Sequence, residues 1–384
     1  MDNIINETIS ENNNRPFFSI IIPCYNSKPN LIYELLCSIA RVHDSNDIEV
    51  IIVDDRSENK EFLEVVKEFN KNSEFEGEYK YNKFEDHDPY KLNIVVTEIP
   101  DTRIDLIHCP GNTREAGVKL ATGEWITFVD HDDLLINDSF TKVKNAIIEG
   151  NEQYIASANF IEINPINNEI GRNFIHTANW MHAKFYNLDN FWNAFDFHFS
   201  ENLCTHEDIA ISSKVNCVLY KLGKQHPLYI EDFVYVWRSW PDSTSRSMYD
   251  GRLFIDTHFI DYVRSTIDVY KEDYIEFLDK NKDRDEEYKN RQGAFYAKMY
   301  IDVILYMYFY IQAFKFYNKY NYDMNNIFIA KSKIREFYRI FNLSPEMVLQ
   351  LVSENGWYNS VRDSARNSTG NIVECETFYD FIAH

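Results

Sequence analysis

Two apolar runs near the start of the chain predict strands that are buried on both faces. The first is Phe17–Ile22 and the second is Ile48–Val53, and both are rich in β-branched residues. Between them Leu31, Leu35 and Ile39 recur at helical spacing. A strand, a helix and a second strand in this order predict a right-handed βαβ unit of a parallel sheet.

The rest of the chain shows two sequence patterns, one of mixed strands and helices and one of helices alone. Strands are predicted at 92–97, 103–108, 125–129, 154–163, 170–176 and 228–237, and helices at 58–70, 113–121 and 209–221, with a turn at 110–112 and Gly123 closing the second of these helices. Beyond about residue 252 the pattern becomes purely helical, at 253–270, 288–320, 327–341 and 345–355.

These patterns predict the domain organisation. We expect a polar leader over 1–16, an α/β domain with a mostly parallel central sheet flanked by helices over 17–250, and an all-helical C-terminal region over 251–384. Residues 71–91 are charged and aromatic without periodicity, which predicts an inserted surface loop.

Composition limits the partners. The net charge of −22 disfavours nucleic acid, and the longest apolar run, at 303–311, is too short to span a membrane. The six cysteines form no metal-binding spacing, and we expect them to be buried thiols in a reducing compartment. With no secretory h-region in the leader, we expect a cytoplasmic protein.

Acidic residues follow two of the predicted strands. Asp54 and Asp55 end the second strand, and Asp130, Asp132 and Asp133 follow the strand at 125–129. In open α/β sheets ligands bind at the carboxyl ends of strands. Clustered carboxylates there repel one another unless a cation offsets them, which predicts a divalent metal with oxygen ligands. The alternative is that 130–133 turns the chain and caps the next helix.

Four ordered motifs resemble those of family-two glycosyltransferases with the GT-A fold. They are SIIIPCYN at 19–26, EVIIVDDRS at 49–57, GNTREAG at 111–117 and ATGEWITFVDHDD at 121–133. The resemblance covers residues 17 to 250 and does not extend to the helical region. No glycine-rich phosphate loop is present, so phosphates would be held through a metal.

The resemblance implies roles for individual residues. It implies a nucleotide-base pocket in which Asp54 accepts a hydrogen bond from a uracil-like ring N–H, a ribose contact at Asp130, and an Mn²⁺ or Mg²⁺ ligand at Asp132. Arg114 corresponds to an arginine at the border of the donor site, although Glu115 replaces the asparagine usual in that family. The implied nucleotide-sugar residues are Pro23, Tyr25, Asn26, Asp54, Asp55, Arg114, Asp130, His131, Arg238, Ser243 and Ser245.

The implied catalytic pair lies further along the chain. Glu207 and Asp208 resemble the Glu-Asp motif of the family, in which the second acid is the general base. The competing interpretation of Asp208 is a cap of the helix at 209–221. His198, His206 and His226 are candidates for a further metal ligand, but no spacing selects one.

Together these residues predict an inverting, metal-dependent transfer of a sugar from a nucleotide-diphosphate sugar, expected to be a UDP-sugar, to the hydroxyl of a glycan, glycolipid or protein. The alternatives are a nucleotidyltransferase that uses the same acids and a non-catalytic carbohydrate-binding protein. For the helical region we expect core packing, acceptor binding or homo-oligomerisation, because Met299, Val303, Tyr306, Tyr310, Phe314 and Tyr317 form a stripe at helical spacing.

Overall fold

The chain forms two units, which are considered separately. The computed structural model describes residues 15–43, 45–71, 92–99, 108–177, 181–199, 206–240, 263–317, 324–369 and 372–383. One unit comprises Met1–Cys204 and Val218–Ser239, and the other comprises Thr205–Cys217 and Trp240–His384. The predicted boundary at 250, most of the loop at 71–91, most of the strand at 103–108, and Ser243 and Ser245 lie outside the described residues.

The first unit contains a mixed sheet. Its described strands are β1 (Phe18–Cys24), β2 (Ile48–Asp54), β3 (Asn93–Glu98), β4 (Trp125–Phe128), β5 (Leu134–Leu135), β6 (Ile155–Ile163), β7 (Ile170–Phe174), β8 (Lys184–Asn187) and β9 (Leu228–Arg238). They run in the order β3-β2-β1-β4-β8-β6-β9-β5, with β7 added to β6.

The predicted parallel sheet is confirmed in its first half. Strands β3, β2, β1 and β4 are parallel neighbours, and every residue of β2 is buried. Beyond β4 the sheet becomes mixed, because β8 pairs antiparallel with both β4 and β6. The chain reaches β8 from β6 through the antiparallel β7 rather than through the helical crossover that a parallel strand needs.

Helices cover the sheet at α1 (Pro29–Ile39), α2 (Phe62–Phe69), α3 (Pro110–Val118) and α4 (Ser139–Glu149), whereas α5 (Glu207–Lys221) begins in the second unit and ends in the first. The predicted turn before α3 is wrong, because Pro110 begins the helix, where its missing N–H has no cost. Gly123 does not end α3. It lies against β1 instead, where an added Cβ would approach the backbone nitrogen of Ser19 to 2.7 Å.

The second unit is all-helical, as predicted. Its described helices are the start of α5, a π-helical turn at Arg264–Asp268, α6 (Val269–Lys280), α7 (Glu286–Tyr317), α8 (Met324–Phe341), α9 (Pro345–Glu354), α10 (Trp357–Thr369) and α11 (Phe378–Ala383). Helix α7 is buried on several sides, at Tyr300, Val303, Leu305 and Met307 among others. It is therefore the central element of this core rather than a helix with one apolar stripe.

The cysteines differ from expectation. Cys24 and Cys217 are buried free thiols, but Cys375 is exposed and Cys109 forms a disulfide. The expectation of buried thiols throughout is therefore wrong. Among the described residues no helix is long and apolar enough to cross a membrane.

Candidate active site

The predicted acidic residues gather at one edge of the sheet. Strands β1, β2 and β4 are parallel, so the residues that follow them emerge together. Asp55 N–H donates to the Cys24 carbonyl at 2.8 Å, and Val129 N–H donates to Ile21 at 3.0 Å. These bonds carry the sheet pairing to its end and place Asp54, Asp55 and Asp130 along one rim.

Asp54 is the last residue of β2 and is 2% exposed. Its Oδ1 accepts hydrogen bonds from the Ser57 amide at 3.0 Å and the Ser57 hydroxyl at 2.5 Å. Its Oδ2 lies 3.5 Å from the Lys60 ammonium and accepts no closer bond within the described part of the chain. One oxygen of this buried carboxylate therefore retains acceptor capacity.

The segment after β1 contains one exposed aromatic ring. Tyr25 is 39% exposed and stacks on His108, with ring centroids 3.5 Å apart. The neighbouring Asn26 has a left-handed backbone, and its Oδ1 accepts the amides of Glu58 at 3.0 Å and Asn59 at 3.1 Å. Asn26 thus fastens the loop that follows β2, while Tyr25 presents its ring.

Asp55 lies between an arginine and a histidine. It is 3% exposed, and its Oδ1 accepts Arg56 Nη2 at 2.9 Å. Its Oδ2 lies 3.3 Å from His108 Nδ1. Oδ1 of Asp55 is therefore paired, whereas the contact of its Oδ2 with His108 is not a hydrogen bond.

Asp130 lies between an arginine and a histidine. Arg114 Nη2 donates to its Oδ1 at 2.6 Å, and His182 Nε2 lies 3.6 Å from its Oδ2. Burial opposes ionisation of Asp130, but the charge of Arg114 and the contact with His182 outweigh it and hold the pKa of Asp130 below its usual range. Asp130 is therefore an anion at neutral pH.

Asp133 anchors the turn to β9. It is 1% exposed, and it accepts the Tyr235 hydroxyl at 2.6 Å and the Arg238 amide at 2.7 Å. Burial, together with the charges of Asp132 and Asp130, raises its pKa well above the usual range. Oxygens from Asp130 and Asp133 and a nitrogen of His182 lie within 4.8 Å of one another, but the Asp133 oxygens already have partners.

Asp132 differs from its neighbours. It is partly exposed, and no side chain of the described residues bonds its carboxylate. Burial raises the pKa of Asp132, and the charge of Asp130 raises it further, whereas the neighbouring His131 lowers it in part. A carboxylate with open oxygens beside other acids has the donor chemistry that Mg²⁺ or Mn²⁺ requires.

Arg238 is 6% exposed and supports the same turn. Its Nε donates to the Asp132 carbonyl, its Nη1 pairs with Glu34, and its amide binds Asp133. These contacts hold 132–133 in place. A contact of Arg238 with phosphate stays a prediction.

The comparison with known proteins identifies the family. The family model described as glycosyl transferase family 2 matches residues 19–87 and 95–219, just over half of the chain. The chain belongs to this family. Its motifs at β1, β2, α3 and β4 are those whose side chains meet at the acidic rim.

Curated relatives match a limited segment of this family-2 chain. An uncharacterized glycosyltransferase of Haemophilus influenzae is 27% identical over 141 residues, which are 35% of this chain and 44% of the relative. The poly(ribitol-phosphate) beta-N-acetylglucosaminyltransferase TarS of Staphylococcus aureus is 32% identical over 133 residues, 34% of this chain and 19% of TarS. The matches thus span less than half the length of these relatives.

Solved structures establish the fold of this family-2 chain over a longer span. S. aureus TarS 1-349 in complex with UDP-GlcNAc superposes with a TM-score of 0.59 and 20% identity over 92% of each chain. A further crystal structure of TarS 1-349 gives 0.54 and 19% over 91% of each. The chain has the GT-A fold with a helical C-terminal region, as the resemblance implied.

The predicted catalytic pair belongs to the second unit. Glu207 and Asp208 occupy the first turn of α5, where acidic side chains favour the helix dipole. Asp208 Oδ1 accepts the Ile209 amide at 2.8 Å, but the helix already begins at Glu207, so Asp208 lies within the first turn and is not the N-cap residue of the competing interpretation. The general-base role stays a prediction.

His182 is a rim residue that the sequence analysis missed. Its ring lies against Tyr235, with centroids 4.7 Å apart, and its Nε2 faces Asp130. No spacing in the sequence links a histidine before β8 to an acid after β4. The pairing arises because β8 lies next to β4 in the sheet.

Proposed function

We propose that this chain transfers a sugar from a nucleotide-diphosphate sugar, and specifically a UDP-sugar, to an acceptor hydroxyl with inversion at the anomeric carbon. The observation that carries the proposal is the open Oδ2 of buried Asp54, which lies at the same rim as the exposed ring of Tyr25 and the ionised Asp130.

The base pocket is built from the ends of β1 and β2. A planar base stacks on Tyr25, and Pro23 shapes the end of β1. Asp54 Oδ2 accepts the ring N–H, because Oδ1 is occupied by Ser57. Uracil suits this arrangement because its ring carries an N–H between two carbonyl groups. Asn26 and Asp55 hold the surrounding loops.

The ribose and diphosphate meet the rim formed after β4. Asp130 is ionised and fixed by Arg114, so it is a strong acceptor for a ribose hydroxyl. Asp132, with His131 beside it, is the residue that would hold the divalent metal, because its carboxylate has open oxygens. A bound Mn²⁺ or Mg²⁺ would supply Lewis-acid chemistry that offsets the charge developing on the leaving diphosphate. We assign Arg238, Ser243 and Ser245 to the phosphate end of the donor.

Asp208 is assigned as the general base, with Glu207 beside it. Its carboxylate takes the proton of the acceptor hydroxyl while that oxygen forms a bond to the anomeric carbon. The bond from the anomeric carbon to the diphosphate breaks on the opposite face, which inverts the configuration. The acceptor is a glycan, glycolipid or protein, and the helical unit contributes to acceptor binding or self-association.

The first donor to test is UDP-GlcNAc. The relative TarS is named an N-acetylglucosaminyltransferase, and its solved structure contains UDP-GlcNAc. Another relative, of Bacillus spizizenii, is named a poly(ribitol-phosphate) beta-glucosyltransferase, so UDP-glucose is the second.

The test is calorimetric binding of UDP followed by turnover of UDP-GlcNAc with Mn²⁺ or EDTA. Asp54→Asn should weaken UDP binding about 10-fold or more, because the amide would present N–H to the base N–H. Asp232→Asn, at an exposed pair with Lys142, is the matched control. Asp208→Asn should abolish turnover and leave UDP binding within about twofold of wild type.

The competing functions give different results. Release of pyrophosphate from a nucleoside triphosphate would favour the nucleotidyltransferase, and nucleotide-sugar binding without turnover under any metal condition would favour the non-catalytic protein. Full activity of Asp208→Asn would remove it from the base role, and unchanged UDP affinity of Asp54→Asn would remove the assigned base pocket.

A further inference from the structure

His108 lies at the rim beside Tyr25 and Asp55. Neither the sequence motifs nor the known relatives assign it a role. It lies two residues before the start of α3, and its side chain is 37% exposed. Its ring and the ring of Tyr25 are inclined by only 27°, with centroids 3.5 Å apart. The two rings are therefore in van der Waals contact over their faces.

This contact excludes a nucleobase from one face of Tyr25. An aromatic ring is about 3.4 Å thick, so a base enters between Tyr25 and His108 only if the two separate by about that distance. The face of the tyrosine that is already stacked is thus unavailable while His108 stays where it is.

The imidazole of His108 also lies beside a buried rim carboxylate. Its Nδ1 is 3.3 Å from Oδ2 of Asp55, which is 3% exposed and follows Asp54 directly, although the contact does not have hydrogen-bond geometry. A planar ring that lies on Tyr25 with a ring nitrogen close to a buried carboxylate resembles the arrangement proposed above for the base and Asp54. The imidazole thus reproduces the stack and the approach of a ring nitrogen to the rim.

We infer that the His108 imidazole occupies the nucleobase position on Tyr25 and that a donor nucleotide must displace it to bind. This rests on the proposed function, because it takes Tyr25 as the stacking surface for the base. His108 is in this way an affinity-determining residue of the donor site, and it lowers the apparent affinity for every nucleotide that uses the Tyr25 face.

The inference fixes the direction of a mutational effect. A residue that contacts the base loses affinity when it is truncated, whereas a residue that competes with the base gains it. His108→Ala should therefore tighten UDP binding by roughly 3- to 10-fold, which is the range that one aromatic stack supports. His108→Phe keeps a ring on Tyr25, so UDP should bind it no more tightly than wild type.

A matched control is available in the same unit. His176 also stacks on a tyrosine, Tyr229, with centroids 4.2 Å apart and an interplanar angle of 18°. His176→Ala removes a stacked imidazole that belongs to no part of the proposed donor site. UDP should bind this variant with wild-type affinity.

The experiment is calorimetric titration of UDP, in buffer with Mn²⁺, into the full chain and the three variants, with thermal unfolding as a check that each is folded. Tighter binding to His108→Ala alone supports the inference. Equal or weaker binding to His108→Ala overturns it and leaves the proposed function intact, and so does an equal gain in His108→Phe. If neither wild type nor any variant binds UDP, the proposed function fails and the inference fails with it.

Discussion

Lys184 on β8 gives the sharpest test of the electrostatics of the first unit. It is 3% exposed, and its ammonium contacts the Thr177 hydroxyl at 3.4 Å. Within the described ranges it pairs with no carboxylate. Burial lowers the pKa of Lys184 from 10.5 to about 7, so this side chain opposes folding wherever the unfolded chain holds its proton.

The magnitude follows from the change in proton affinity. Each tenfold change is worth about 1.4 kcal/mol, so a pKa lowered to about 7 corresponds to at most about 4–5 kcal/mol at pH 7. Relaxation around the amine reduces this cost. We expect Lys184→Met, which keeps the length of the side chain, to raise the free energy of unfolding at pH 7 by about 2–4 kcal/mol.

The effect has a definite pH window. Between pH 7 and 10.5 the unfolded chain binds more protons at this residue than the folded chain, so the wild type gains stability as pH rises. Lys184→Met lacks this contribution, and its advantage should shrink steadily towards pH 10. The comparison is made by urea unfolding, followed by tryptophan fluorescence at pH 7, 8, 9 and 10.

Lys142→Met is the matched control. Lys142 is exposed and pairs with Asp232 at 2.7 Å, so its replacement should change stability by less than about 1 kcal/mol at every pH. If Lys184→Met were less stable than wild type at pH 7, or if the two stability curves ran parallel with pH, the assigned cost of burying this amine would be wrong.

Two further substitutions test the carboxylate contacts. Arg114→Met should lower the free energy of unfolding by about 1–3 kcal/mol at pH 7. In urea unfolding this loss should shrink below about pH 4, because the low pKa of Asp130 gives its full stabilisation only above the pKa of the unfolded chain. An equal loss at neutral and at acidic pH would contradict the pairing. Buried Glu49 accepts the amides of Thr122 at 2.6 Å and Gly123 at 2.9 Å, so Glu49→Ala should cost about 2 kcal/mol more than Glu49→Gln, and equal melting temperatures would refute this.

Elements that are buried along their whole length could be predicted from the sequence. β1 and β2 lie between layers on both sides, so their apolar runs identified them and their pairing. The acids after β2 and β4 were also found, because the carboxyl ends of parallel strands share an edge. The four motifs correctly implied the GT-A fold and the family.

Features that depend on tertiary contacts could not be predicted from the sequence. The start of α3 was misplaced because Pro110 looks like a turn residue but occupies the first helical turn. The antiparallel entry of β8 has no local signal, and with it the approach of His182 to Asp130 was missed. The stack of His108 on Tyr25 joins residues far apart in the chain, which no periodicity reveals.

The carboxylates at the rim differ in their hydrogen-bond partners, and this difference supports different roles for them. Arg56 pairs with Oδ1 of Asp55, and Arg114 pairs with Oδ1 of Asp130. The Tyr235 hydroxyl and the Arg238 amide engage Asp133.

Two other carboxylates at the rim have oxygens without a close hydrogen-bond donor. Within the described residues, Asp54 Oδ2 accepts no closer bond than the 3.5 Å contact with Lys60, and no side chain bonds the Asp132 carboxylate. A buried or half-buried carboxylate oxygen without a hydrogen-bond donor lowers the stability of the fold. Because the neighbouring carboxylates are paired, the open oxygens of Asp54 and Asp132 favour a role in ligand binding. The proposed ring N–H at Asp54 and the proposed divalent cation at Asp132 are two ligands that a metal-bound nucleotide would supply together.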